Sequence, residues 1–149
     1  MDFYGFYTGK IFDAYKFLGA HVEETGVVFR TFAPNAEKIT LIGEFNGWKE
    51  QEMEKVYDGN FWELTVESAK PGMMYKYRIY DKTGRSIDHC DPFGFGMELR
   101  PNSASVVRNL CSYEFGDALW LEKRCDHKNT KHHFLRMVCE TNQNALRKY

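Results

Sequence analysis

No apolar run in the 149 residues approaches the length needed to cross a bilayer, so no membrane-spanning helix is expected. Charge of one sign is missing as well. Twenty Lys and Arg stand against 21 Asp and Glu, a formal net charge of −1, which leaves no global field for nucleic acid or an anionic membrane surface. The first residues, Met1-Asp2-Phe3-Tyr4-Gly5, carry no basic region and no long apolar region, so no secretory signal is expected. Cysteine is sparse and scattered. Cys90, Cys111, Cys125 and Cys139 lack C-x-x-C spacing, which fits reduced thiols in a cytoplasm.

Aromatic residues are plentiful at 16% of the chain, enough for a substantial core. Residues 1–25 read as a mixed lead-in. Phe12, Tyr15 and the pair Phe17/Leu18 recur at roughly helical spacing, and Gly19 is placed to end such a turn. Residues 26–108 read as short strands between turn signals. Val27–Phe32 is rich in β-branched and aromatic residues and stops at Pro34-Asn35. Lys38–Gly43 follows, then Phe61–Val66, whose Trp62, Leu64 and Val66 share one face. Met74–Tyr80 alternates cleanly, with Tyr75, Tyr77 and Ile79 on one side and Lys76, Arg78 and Tyr80 on the other. Ser105-Val106-Val107 is a last strand. Many short strands with polar turns predict an all-β fold, an immunoglobulin-like antiparallel β-sandwich. Residues 109–124 read as a connection that caps or continues it. Residues 125–149 contain no Gly or Pro and gather three of the five histidines in an irregular or partly helical tail, with a short helix placed at 132–138.

The stretch Gly43-Glu44-Phe45-Asn46-Gly47-Trp48 draws the eye because a tryptophan directly follows a turn-prone Asn-Gly pair. Trp is normally buried for its area. Displayed at a sheet rim, it forms a flat apolar plate suited to one face of a sugar ring. If Tyr75, Tyr77 and Ile79 point inward, Lys76 points out, and Trp48, Lys76 and the turn residue Arg85 can share one exposed surface. Two readings stay open on pattern alone: a sugar-binding plate flanked by cationic donors, or a rim tryptophan beside a solvated charged face. Asp88 and Asp91 form a nominal carboxylate pair, better read as caps on the turns around Pro92. A metal site from Cys125, His127, His132, His133 and Cys139 fits no standard zinc spacing, so no metal and no cofactor is expected.

Several ordered motifs resemble one family. Tyr7-Thr8-Gly9-Lys10, Asp13–His21, Phe29–Ala36 and Gly43–Trp48 are similar to the N-terminal region of 1,4-alpha-glucan (glycogen) branching enzymes, and Asp91-Pro92-Phe93 and Glu98–Val107 continue the match in order. The likeness covers about residues 5–124. Ala33-Pro34-Asn35-Ala36 and Phe45–Trp48 alone indicate the broader group carrying a carbohydrate-binding module of family 48. The resemblance implies a β-sandwich that binds α-1,4-linked glucan, the sugar stacking on Trp48 and accepting hydrogen bonds from Lys76. Where some relatives carry a second tryptophan, Gly84-Arg85-Ser86 stands here. A single plate implies modest affinity, with Kd from micromolar to millimolar, about −4 to −8 kcal/mol.

Branching enzymes transfer α-1,4 segments to α-1,6 branch points by retaining chemistry, with carboxylates at the ends of barrel strands. Such a barrel takes about 250 residues, and no Asp-Gly-x-Arg-x-Asp motif occurs in this sequence. The chain is therefore expected to bind glycogen, starch or maltooligosaccharides and to be inactive alone, with no catalytic residues of its own. The likeness stops near Arg124, which suggests a foreign reading frame or an early stop in a branching-enzyme gene. A stand-alone glycogen-targeting or regulatory module is the alternative, and it requires residues 125–149 to form a partner-binding element.

Overall fold

A computed structural model describes residues 1–110 together with 116, 117 and 120. The chain divides into two units, Met1–Leu110 and Cys111–Tyr149. The tail helix placed at 132–138 and the Cys/His grouping at 125–139 lie outside the described residues.

The first unit begins with a short helix α1 (Phe3–Tyr7), followed by strands β1 (Gly19–Glu23), β2 (Gly26–Phe32), β3 (Lys38–Gly43), β4 (Gln51–Glu52), β5 (Glu54–Val56), β6 (Phe61–Val66), β7 (Met74–Tyr80), β8 (Ser86–His89) and β9 (Ser105–Val106). They form two sheets. One has the order β1-β2-β6-β5, the other β4-β3-β7-β8 with β9 also pairing β7, and every pairing is antiparallel. The predicted sandwich is the observed one. No helix among the described residues is long and apolar enough to cross a membrane.

Strand alternation sends one set of side chains between the sheets. Val27, Phe29, Trp62 and Val66 from one sheet meet Ile39, Leu41, Tyr75 and Tyr77 from the other in a single buried cluster. Each such large side chain contributes about 1.5–3 kcal/mol by leaving water. The Trp62 indole N–H finds a partner inside, donating to the Ala33 carbonyl at 3.2 Å.

The lead-in holds two short helices and the first strand. The expected helical turn is a short 3-10 helix at Ala14–Lys16, with Phe12 91% exposed, and a further helix, α1, lies ahead of it at Phe3–Tyr7. Asp2 caps it by accepting from the Gly5 N–H at 3.0 Å. Helical spacing then brings Phe3, Phe6 and Tyr7 onto the outer side of the first sheet. The Phe3 and Phe6 rings pack on Phe61 at 5.1 and 5.6 Å, and Phe6 lies 5.0 Å from Phe32. Phe17 joins the layer with the Arg30 guanidinium 4.9 Å from its ring, while Arg30 also pairs with Glu63. The 3-10 helix at Ala14–Lys16 thus delivers Phe17 to the outer face of the first sheet. Leu18 and Gly19 sit where the chain enters β1.

Candidate functional site

The loop that carries Trp48 is built by its own side chains. At the end of β3 the Gly43 backbone lies so close to β7 that a Cβ there would sit 2.6 Å from the Met74 carbonyl oxygen. Glu44 crosses the same gap, accepting from the Met74 N–H at 2.8 Å. Phe45 turns inward against Phe29, ring centroids 5.5 Å apart, and anchors the loop on the core. Asn46 folds back. Its side-chain oxygen accepts from the Gly43 N–H at 3.0 Å and its amide donates to the Leu41 carbonyl at 3.2 Å. Gly47 and Trp48 then both take left-handed backbone angles, φ 63° and 61°, and the Trp48 N–H closes the loop on the Gly43 carbonyl at 2.8 Å.

Left-handed angles suit Gly47 but cost a bulky residue about 1–2 kcal/mol. The surrounding latch holds Trp48 there, with the side chain 43% exposed. Asn46→Ala removes both side-chain bonds and is expected to lower stability by about 1–2 kcal/mol. It should also weaken binding at Trp48 with the tryptophan still in place. A melting curve and a glucan titration of the variant check both effects.

The outer face of the second sheet continues from this loop. Ile42 of β3 pairs with Lys76 of β7, so Lys76 stands on the outward side beside the strand end that leads to Trp48. Further along β7, Arg78 is taken up by two carboxylates. It donates to Glu50 at 2.8 Å and to Asp88 at 2.6 and 3.0 Å. The Tyr80 hydroxyl donates to both Glu50 oxygens, at 2.9 and 2.8 Å. Arg78 and the Tyr80 hydroxyl hold the Glu50 carboxyl below the usual range, and Arg78 does the same for Asp88. Lys38 pairs with Glu52 at 2.9 Å. Among the described residues Lys76 makes no ion pair, though its charge helps to lower the Asp88 carboxyl.

Arg85 lies elsewhere on the sheet. It follows the hairpin after β7, its N–H donating to the Asp81 carboxylate at 3.0 Å. Tyr80 pairs with Ser86, whereas Gly43 pairs with Tyr75, so Arg85 and Trp48 flank opposite ends of β7. From Lys76 to Asp81 the strand advances five residues, about 16 Å at ~3.3 Å each. The structure brings Trp48 and Lys76 to one end of the face and leaves Arg85 at the other.

The two aspartates divide. Asp91 does brace the turn at Pro92, accepting from the Phe93 N–H at 2.8 Å, but its main partners are buried: the Tyr75 and Tyr77 hydroxyls donate to it at 2.7 and 3.2 Å. The Asp91 N–H donates to the Ser105 hydroxyl at 2.8 Å. Asp88 caps no turn; it holds Arg78. Burial pushes the Asp91 carboxyl up, against the pull of its donors, and pushes both phenols up. These are structural tasks for both carboxylates. Among the described residues no group of three His, Cys, Asp or Glu side chains is placed to hold a metal ion. Sequence reasoning missed the Glu50–Arg78 contact because the partners are 28 residues apart. It also missed the latch role of Asn46, for which the Asn-Gly pair is the signal.

Residues 17–94, just over half the chain, match the family model of carbohydrate-binding module 48 (isoamylase N-terminal domain). The chain is similar to a 1,4-alpha-glucan branching enzyme of Clostridium perfringens, 40% identical over 127 residues, which cover 80% of this chain and 19% of that protein. A 1,4-alpha-glucan branching enzyme of Methylococcus capsulatus is 39% identical over 132 residues, 84% of this chain and 18% of that protein. The chain therefore spans about one-fifth of the length of these relatives. Among solved structures, a protein of Salmonella typhimurium described as an alpha amylase matches with a TM-score of 0.57 at 27% identity, over 70% of this chain and 17% of that one. A Klebsiella pneumoniae pullulanase complexed with maltotriose shares the fold, with a TM-score of 0.53 at 22% identity, over 63% of this chain and 10% of that one.

Proposed function

The chain belongs to the carbohydrate-binding module 48 family and is homologous to the N-terminal region of glycogen branching enzymes, and we propose that it binds an α-1,4-linked glucan at Trp48 and Lys76. The observation that carries this reading is the Trp48 loop. A tryptophan is held half-exposed at a left-handed backbone angle by the Asn46 latch, at the end of the sheet where Lys76 pairs with Ile42. The indole covers the apolar face of a glucose ring, where C–H groups meet the negative face of the aromatic system. The Lys76 ammonium donates to ring hydroxyls. Arg78, committed to Glu50 and Asp88, lends the face rigidity.

The branching of glycogen is the activity of the relatives. In that setting this module holds the polymer in the cytoplasm while carboxylates on a separate domain cut and rejoin it. Arg85 is part of the proposal only for a long ligand, since it flanks the far end of β7 from Trp48. Affinity electrophoresis in glycogen tests the reading. Wild type is expected to be retarded, with Lys76→Ala retarded less and Trp48→Ala least. Equal mobility of all three with and without glycogen overturns it.

A further inference from the structure

Among the described residues only two that are not glycine adopt positive φ: Trp48 at 61° and Tyr57 at 58°. Both are aromatic, both are exposed, and both follow a strand at the rim of a sheet. Tyr57 opens the loop between β5 and β6, a position that glycine, asparagine or aspartate occupies without strain. Its ring leans on Phe3 at 4.7 Å and Phe17 at 5.7 Å, yet 60% of the residue faces water. Packing alone leaves more than half of this strained tyrosine unexplained. Strain of this kind gathers where a side chain must be displayed.

A polar cluster adjoins it in the same loop. The Tyr7 hydroxyl donates to Asp58, the Asn60 side-chain amide donates to the Tyr7 hydroxyl at 2.8 Å, and the Asn60 backbone N–H donates to Asp58 at 3.0 Å. The Tyr7 and Tyr57 rings both pack on Phe61, at 6.3 and 6.2 Å, so the cluster and the exposed ring share one support. A carboxylate has about four acceptor positions and a primary amide two donors and an acceptor. Asp58 and Asn60 therefore keep hydrogen-bonding capacity beyond these contacts. An apolar plate beside a fixed carboxylate and amide matches a pyranose, which has one C–H face and a rim of hydroxyls that both donate and accept.

We infer that Tyr57, with Tyr7, Asp58 and Asn60, forms a second binding surface for an α-glucan, separate from the Trp48 surface. The choice of α-glucan rests on the reading of the Trp48 site; the aromatic-plus-amide chemistry is independent of it. Trp48 lies in the loop between β3 and β4 of the second sheet, and Tyr57 follows an edge strand of the first. One rigid module thus presents two weak sites to one polymer. Occupying both makes the second contact intramolecular, which raises avidity for glycogen without tightening either site for a short oligosaccharide.

The test is a titration of the isotopically labelled 149-residue chain with maltoheptaose, followed by amide chemical shifts. Two groups of shifts are expected, one at residues 43–48 and 76 and one at 57–60. Trp48→Ala should weaken the first by about 30-fold and spare the second. Tyr57→Gly should do the reverse, since glycine accepts the backbone angle and only the ring is lost. If that variant loosens the lead-in, Asp58→Asn provides the second arm; it should weaken the 57–60 response by about three- to tenfold. A wild-type chain whose 43–48 group saturates while 57–60 stays silent overturns the second surface and leaves the Trp48 reading standing. So does a Trp48→Ala chain with no response anywhere. Silence of both groups in the wild type overturns both readings.

Discussion

Trp48→Ala is expected to weaken maltoheptaose binding at the Lys76 amide by about 30-fold, the loss of roughly 2 kcal/mol typical of truncating a central aromatic anchor. The same variant should melt within a few degrees of wild type. Trp48 is half-exposed and absent from the buried cluster, so its removal opens no cavity. The latch is independent of the indole, because the Asn46 bonds run to the Gly43 and Leu41 backbone. A large loss of affinity with a preserved melting temperature is the signature of a displayed side chain. A loss of less than about threefold, under 1 kcal/mol, would show that the indole is not the plate.

Asp91→Ala is expected to cost about 3–5 kcal/mol of stability, a large share of the 5–15 kcal/mol a domain usually has. Asp91 is 4% exposed, and Tyr75 and Tyr77 are fully buried around it. Without the carboxylate, two buried phenol O–H groups and the part-buried Phe93 N–H lose their acceptor. The melting temperature should fall by on the order of 10–20 °C. Calorimetry measures it, and a shift of under about 3 °C would refute the structural role assigned here.

The pH dependence has a definite sign. Burial raises the Asp91 carboxyl above its ordinary value in the folded state. The folded protein therefore binds this proton more tightly than the unfolded chain does. Its contribution favours folding below the ordinary value and declines as pH rises through the window up to the raised one. Glu50, Asp58, Asp81 and Asp88 are lowered and act oppositely, their contribution falling away as pH drops. The Asp91 part appears as the difference between wild type and Asp91→Asn across the acid range.

The long inner strands were legible because their pattern is local. Phe61–Val66 and Met74–Tyr80 alternate along the chain, and alternation is what burial of one face requires. Strand β8 gave no such signal, since all four of its residues are exposed at the sheet edge. Strand β1 was hidden in a lead-in whose aromatic spacing marked only the short 3-10 helix before it. Phe3 and Phe6 find their partners, Phe32 and Phe61, only after the first sheet exists. At the site, the Asn-Gly-Trp order showed a turn with a displayed aromatic. Asp58-Gly59-Asn60 marked a turn, but not that Tyr57 before it takes a positive φ in the hairpin between β5 and β6.

Local patterning was enough for the two-sheet class, the inward faces of the main strands, the turn before Trp48 and the outward direction of Lys76. Each follows from contacts within a few residues, where periodicity and turn chemistry act. The packed fold was needed to give Arg78 to Glu50 and Asp88 while Lys76, among the described residues, makes no ion pair. It alone separated Arg85 from Trp48 by the length of β7 and gave Asp91 its two tyrosines. Those outcomes depend on strand register and on which faces meet. Register is set by the summed packing of whole sheets, so no single segment of the chain encodes it.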